Sequence, residues 1–113
     1  MHELSIAESI VNILHDQMRL HGLSKLERVE LRIGVLRGIE VASLRWSFDV
    51  LAVGSSLEGA RLDIDEVPIR GRCTQCGRRL TLEHWAQDCP FCSGSQVEIL
   101  SGKELDIIAI EGE

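Results

Sequence analysis

Apolar residues recur at helical spacing near the start of the chain, which predicts an amphipathic first helix over residues 5–20. The apolar positions of this stripe are Ile6, Ile10, Leu14 and Met18. Ser5 and Glu8 have the spacing of a capping box, in which each side chain bonds an open backbone N–H of the first turn. Gly22 is suited to end the helix, because glycine readily adopts the left-handed conformation found there.

The next segments show the periods of a strand, a helix and a second strand. Apolar and polar residues alternate over residues 28–35, which predicts a strand with one solvent-facing side. An apolar stripe over residues 40–53 predicts a second helix that ends at Gly54, and alternation returns around residues 60–64. A helix joined by short links to a strand on either side is typical of a βαβ unit with a right-handed crossover.

The composition changes after Pro68. Residues 70–94 are rich in Cys, Gly, Arg and short polar side chains, and the apolar periodicity is lost there. Residues 97–99 then predict a short strand. Residues 105–110 are apolar on both faces, which predicts a strand buried within a sheet. The irregular lobe is therefore expected to be an insertion, after which the last strand returns to the first domain.

Four cysteines form two CxxC pairs that are separated by twelve residues. They are Cys73, Cys76, Cys89 and Cys92. Each pair places two sulfurs on one tight turn, and four thiolates form a closed tetrahedral ligand set for structural zinc. Two disulfides, or an iron–sulfur or redox dithiol site, are the alternatives; a reducing compartment disfavours the disulfides. So small a lobe should take most of its folding free energy from metal binding, with Trp85 and Phe91 packing its small core.

Together these patterns predict an α+β fold with a small mixed sheet and two helices, including the βαβ unit. This fold would carry an inserted tetrathiolate lobe that resembles a zinc ribbon. The predicted α/β domain comprises residues 1–68 plus 101–113, and it would hold the N-terminal metal site considered below. Residues 69–100 would form the zinc-binding domain.

The charge of the chain bears on which partners it can bind. The 113 residues carry a net charge of −6, which disfavours binding to a phosphate backbone. A local basic cluster opposes that trend and keeps a nucleic-acid-binding zinc ribbon as the alternative function. The cluster consists of Arg70, Arg72, Arg78 and Arg79.

Several classes of protein are not expected. No segment approaches the roughly 20 apolar residues of a membrane span. The first residues lack the basic start and long apolar run of a signal peptide, so a cytoplasmic location is expected. The chain offers neither a phosphate-binding glycine loop nor an arguable Ser/His/Asp set, and a closed zinc site activates no water. We therefore do not expect an enzyme.

The N-terminus offers a second set of metal donors. The α-amine of Met1, the amide nitrogen of His2 and the His2 imidazole are consecutive donors that close a five-membered and then a six-membered chelate ring. Such nitrogen-rich, square-planar coordination suits Ni(II) or Cu(II). Glu3 could add its carboxylate or its backbone nitrogen. A histidine at position 2 is more often part of a free chain end than a ligand, so both interpretations stand at this point.

The motifs taken together resemble those of one family across essentially the whole chain. The sequence is similar to the HypA/HybF nickel-insertion proteins, which are accessory factors in the maturation of [NiFe]-hydrogenases. The segments that carry the resemblance are Met1–Ser5, Ile33–Glu40, Leu44–Phe48, Gly59–Leu62 with Val67–Pro68, and the two CxxC pairs. The order of these motifs is more specific than any one of them.

The resemblance implies a nickel metallochaperone. His2 would bind Ni(II) as cargo together with the Met1 amine, and Glu3 would belong to the same motif, while the four cysteines would hold structural Zn(II). The implied partners are a nickel-handling maturation GTPase (HypB-like) and the [NiFe]-hydrogenase large subunit, with no role for nucleic acid. A zinc-stabilised docking module without metal cargo is the further alternative.

Overall fold

The computed structural model describes residues 2–84 and 88–113. The expectations for Met1 and Trp85 therefore lie outside the described residues. The elements of the described part follow in the order α1 (Glu3–His21), β1 (Leu26–Gly34), a 3₁₀ turn (Val35–Arg37), α2 (Val41–Ala52), β2 (Arg61–Val67), β3 (Ile69–Cys73), β4 (Arg79–Leu82), β5 (Val97–Ser101) and β6 (Leu105–Gly112). Within these residues, neither helix combines the length and the apolar composition that a membrane crossing requires.

Contacts between residues divide the chain into two compact units. The first unit comprises Met1–Leu31, Ile39–Ile64 and Ile107–Glu113, and the second comprises Arg32–Gly38 and Asp65–Asp106. The domain boundaries expected from the sequence stay a prediction. The α+β fold class, with two helices and small sheets, is confirmed.

Helix α1 begins two residues earlier than the sequence predicted. Its N-cap is His2, whose carbonyl accepts the Ile6 N–H at 2.9 Å, and no side chain caps the first turn. The predicted capping box is therefore wrong, because Ser5 and Glu8 already lie inside the helix. Gly22 does end the helix, with a φ of 68° that the absence of a Cβ makes accessible.

The core of the first unit is built by the predicted stripes. α1 buries Ala7, Ile10, Leu14 and Met18, and α2 buries Leu44, Ser47, Phe48 and Ala52. The large side chains of this unit that are no more than 1% exposed include Leu14, Leu26, Val29, Leu31, Leu44, Phe48 and Leu57. The N-cap of helix α2 is Glu40, whose carboxylate accepts the N–H of Ser43 at 2.7 Å and thereby caps the first turn.

The first sheet has the strand order β2–β1–β6. Because α2 connects the neighbouring strands β1 and β2, the arrangement matches the predicted βαβ unit. Backbone bonds join Lys25 to Glu113 at one end of β1 and Gly34 to Glu104 at the other, so β6 runs antiparallel to β1. The prediction that β6 is buried is wrong, because β6 has a single neighbouring strand and none of its residues is fully buried.

The second sheet has the strand order β4–β3–β5, and both pairings are antiparallel. One face of this sheet forms a small core. Its buried residues are Ile69, Cys73, Leu80, Leu82 and Cys89, with Leu36, Val97 and Ile99 packed against them. Two of the five buried residues are cysteines, so the core of the second unit is continuous with the candidate metal site.

Candidate metal centre

Two backbone turns present the four cysteine sulfurs. Cys73 ends β3, and the Gly77 N–H donates to the Cys73 carbonyl at 2.8 Å, which closes a tight turn around Cys76. At the second pair, the Ser93 N–H donates to the Cys89 carbonyl at 2.9 Å. Ser93 has a φ of 60°, so this turn uses a left-handed residue where glycine is more common.

The sulfurs converge on one point. All four Sγ atoms lie within 4.8 Å of one another, with 3.5 Å between Cys73 and Cys92 and 3.7 Å between Cys76 and Cys89. A disulfide requires an S–S distance near 2.05 Å, and all four cysteines are free. Four sulfurs placed about 2.3 Å from one zinc ion would lie about 3.8 Å apart. The donor set and the spacing therefore fit a tetrathiolate metal site.

Backbone N–H groups favour the ionised form of one sulfur. The Cys76 N–H donates to Cys73 Sγ at 3.4 Å, and this bond is the main cause that lowers the pKa of Cys73 to about 6. The Gly94 N–H lowers the pKa of Cys92, but the Cys73 sulfur, burial and the other two sulfurs together outweigh it and raise that pKa to about 12. Four sulfurs this close together can therefore all be ionised only when a bound cation neutralises their charge.

The two turns also touch through an exposed side-chain pair. The Arg78 guanidinium lies 4.5 Å above the centroid of the Phe91 ring, within the range of a cation–π interaction. Phe91 is 57% exposed, so the prediction that it packs the core is wrong. Cys73, Cys89 and the aliphatic residues of the strands already fill that interior. His84, between the two pairs, is exposed.

The predicted nickel residues lie at the start of α1. His2 is exposed and is the N-cap of the helix, whereas Glu3 is only 8% exposed. Glu3 Oε2 accepts the backbone N–H of Glu40 at 3.2 Å, so the beginning of α1 is bonded to the beginning of α2. Sequence reasoning missed Glu40. Its position before an apolar helical stripe could have identified it as a cap, but nothing local indicated its contact with Glu3.

Glu40 is itself held in its ionised form. Its pKa is lowered chiefly by hydrogen bonds from the side chain and then the backbone of Ser43. The same carboxylate accepts the Ala42 N–H at 3.3 Å. A negative charge at this position also interacts favourably with the positive end of the α2 dipole. In the described part of the chain, the four cysteines are the only cluster of three or more such side chains placed to hold a metal ion.

Comparison with known proteins identifies one family. The family model described as "Hydrogenase/urease nickel incorporation, metallochaperone, hypA" matches residues 1–112. The hydrogenase maturation factor HypA of Acidithiobacillus ferrooxidans is 39% identical over 113 residues, with 100% of both chains covered. The HypA of Chlorobium limicola is 43% identical over 110 residues, which cover 97% of this chain and 95% of that protein.

Solved structures share the fold. The solution structure of the Ni metallochaperone HypA from Helicobacter pylori is similar with a TM-score of 0.66 and 22% identity, covering 99% of this chain and 97% of that one. A second HypA solution structure has a TM-score of 0.71 and 23% identity, covering 100% of this chain and 97% of that one. Both likenesses extend over essentially the whole chain, so these proteins share its overall fold.

Proposed function

Because this chain belongs to the HypA family of nickel-incorporation metallochaperones, we propose that it binds Ni(II) at its N-terminus and delivers the ion during maturation of a [NiFe]-hydrogenase. The observation that carries this proposal is the family match over residues 1–112, which spans both His2 and the four cysteines. The expected partners are a nickel-handling GTPase and the hydrogenase large subunit. With its four free thiols, the chain suits the reducing cytoplasm.

The proposed nickel ligands are the Met1 amine, the His2 imidazole and the backbone nitrogens of His2 and Glu3. The first N–H groups of a helix have no intrahelical acceptor. Since α1 begins at Glu3, the backbone nitrogens of His2 and Glu3 can bind a metal without loss of a helical hydrogen bond. The Glu3 carboxylate is engaged by the Glu40 N–H, which favours the backbone nitrogen over the carboxylate as the Glu3 donor.

The four cysteines have a different proposed role. Cys73, Cys76, Cys89 and Cys92 would hold structural Zn(II), and the bound ion would supply folding free energy to the second unit. A tetrathiolate site leaves no open coordination position, so we propose no catalysis at this centre. The nickel cargo therefore uses nitrogen donors at the chain end, and the zinc uses sulfur donors between two turns.

A nickel titration tests the proposal. Zinc-loaded protein without an affinity tag, His2→Ala and the matched control His21→Ala would each be titrated with Ni(II). Visible absorption and calorimetry would follow the binding. His21 is a suitable control because it is an exposed histidine at the other end of α1. We expect one equivalent with a square-planar d–d band in the parent and in His21→Ala, and loss of that band in His2→Ala.

Two other outcomes would contradict the nickel site. Equal binding by all three proteins would move nickel away from the N-terminus. An absence of stoichiometric binding in the parent protein would leave a zinc-stabilised docking module without metal cargo.

A further inference from the structure

The outward face of the second sheet concentrates positive charge. Side chains alternate along β3 and β4, so that Ile69, Leu80 and Leu82 enter the core while the intervening side chains face solvent. The exposed side chains on these two strands are Arg70, Arg72, Arg79 and Thr81. Three arginines on one small face are unusual in a chain whose net charge is −6.

The register of the sheet brings like charges together. Arg72 of β3 lies directly opposite Arg79 of β4, and like charges in directly opposed positions destabilise a sheet. One carboxylate compensates, since Glu98 on β5 pairs with Arg72 at 3.0 Å. In the described part of the chain, neither Arg70 nor Arg79 has an ion pair or a side-chain hydrogen bond. This face therefore retains two uncompensated cations.

An apolar side chain lies beside these cations. The register between β3 and β5 shifts between Arg70 and Gly71, so Leu100 has no partner residue on β3. Such bulges re-aim a side chain, and Leu100 is 45% exposed. A shallow depression of about 360 Å³ lies among Arg70, Arg79, Thr81 and Leu100. It combines two cations with an apolar contact.

The spacing of the two cations selects a ligand geometry. Arg70 and Arg79 are diagonal neighbours in the antiparallel pair, which places their backbones about 7–8 Å apart. Side chains two residues apart on an extended strand are separated by about 6.4–6.8 Å. We propose that this face docks an extended acidic segment of a partner protein. Two carboxylates at alternate positions would pair with Arg70 and Arg79, and an apolar side chain would lie over Leu100.

Charge complementarity favours an acidic peptide over a nucleic acid. Specific nucleic-acid binders commonly neutralise about 6–10 phosphates, whereas this face has two uncompensated arginines. Arg78, the remaining arginine of the cluster, already lies over the Phe91 ring, so that ring face is not free to stack on a base. The proposed docking surface stands whether or not the N-terminus carries nickel.

Fluorescence anisotropy with a defined probe tests the surface. The probe is a capped, labelled pentapeptide with leucine, glutamate and glutamate at alternate positions and serine between them. Its control peptide has glutamine for both glutamates. The double variant Arg70→Gln/Arg79→Gln would be compared with Arg19→Gln/Arg61→Gln, which changes the net charge equally at two exposed sites elsewhere.

We expect the zinc-loaded parent to bind the glutamate peptide more tightly than the glutamine peptide, and less tightly as salt rises. Two exposed charge pairs predict that Arg70→Gln/Arg79→Gln weakens binding by about two- to thirtyfold, with little change in the control variant. Equal loss in both double variants would overturn the proposal, as would no binding by the parent at millimolar peptide. If the parent bound a dodecameric oligothymidylate more tightly than the glutamate peptide, and Arg70→Gln/Arg79→Gln weakened that binding, the face would instead be assigned to nucleic acid.

Thermal unfolding of single variants supplies a second measurement. Arg79 faces a like charge without a compensating partner, so Arg79→Gln should leave the melting temperature unchanged or raise it. Arg72→Gln should lower the melting temperature relative to Arg79→Gln, because both variants relieve the same repulsion but only Arg72→Gln leaves Glu98 without its ion pair. A drop in melting temperature for Arg79→Gln equal to that of Arg72→Gln would show that Arg79 serves the fold, and would overturn the docking proposal.

Discussion

Replacing Cys73 by serine should unfold the second unit and leave the first unit folded. Cys73 is fully buried, ends β3 and belongs to the same small core as Ile69, Leu80 and Leu82. The substitution removes one of the four sulfurs and keeps nearly the same side-chain volume. Any large effect therefore reports on the loss of a metal ligand rather than on a cavity.

The magnitude follows from comparing two contributions. Three buried aliphatic side chains supply about 1.5–3 kcal/mol each, or about 5–9 kcal/mol in total. Zinc binding by small metal-dependent domains contributes about 10–16 kcal/mol at neutral pH. The metal is therefore the larger of the two terms. Without it, so small a core is not expected to order the three strands and their connecting turns against the loss of chain entropy.

Amide correlation spectra of ¹⁵N-labelled protein would measure the effect. In Cys73→Ser, and in the parent after chelation, the resonances of Gly71 and Gly77 should collapse to unfolded positions, while that of Gly22 stays native. Thr74→Ala is the control, because Thr74 lies in the same turn and its substitution removes only the side-chain hydrogen bonding to Gln96, worth about 1 kcal/mol. Native resonances for Gly71 and Gly77 in the metal-free Cys73→Ser protein would refute the reasoning.

Three further predictions concern the core, an ion pair and the thiols. Phe48 is 1% exposed, so Phe48→Ala should lower the free energy of unfolding of the first unit by about 3–5 kcal/mol in urea titrations, whereas Trp46→Ala on the exposed face of α2 should change it by less than about 0.5 kcal/mol. The Arg28 guanidinium bonds Asp63 at 2.7 Å and lowers the pKa of that carboxyl. The stability that this ion pair contributes is therefore complete above the ordinary carboxyl pKa of 3.8 and is lost as the pH falls through the lowered pKa of Asp63. Because Arg28→Gln lacks this contribution, its urea midpoint should fall less steeply with acidification than that of the parent. Since the metal-free second unit is expected to be unfolded, its four thiols should have the ordinary pKa of about 8.5, and Zn(II) binding at pH 7 should release close to four protons, which calorimetry in buffers of different ionisation enthalpy would count.

Features set by local spacing were predicted from the sequence. The apolar stripe of α1, the turn at Gly22 and the strand–helix–strand order of β1, α2 and β2 follow from periods that a short stretch of chain carries by itself. The convergence of the four cysteines also has a local basis, because each CxxC pair fixes two sulfurs on one turn. Their role as zinc ligands, and that of His2 as a nickel ligand, remain proposals.

Errors arose where a residue's environment depends on distant parts of the chain. Residues 105–110 are apolar enough for a central strand, yet β6 lies at a sheet edge because the order β2–β1–β6 leaves it one neighbour. Phe91 is hydrophobic enough for a core, but strand residues and two cysteines occupy the core of the second unit, and the Phe91 ring lies under the Arg78 guanidinium instead. The hydrophobicity of a side chain determines how much free energy its burial would contribute, but not whether the packed core has space for it.

Residue types at short, regular intervals were enough to predict the helices, most of the strands, the two cysteine turns and the family to which the chain belongs. Tertiary packing alone fixed the contacts between residues that are far apart in the chain. It brought Glu3 to the backbone of Glu40, and it set Arg72 opposite Arg79. Strand order and register are set only when the whole chain packs around its cores. A register shift of one residue between β3 and β4 would move Arg72 away from Arg79.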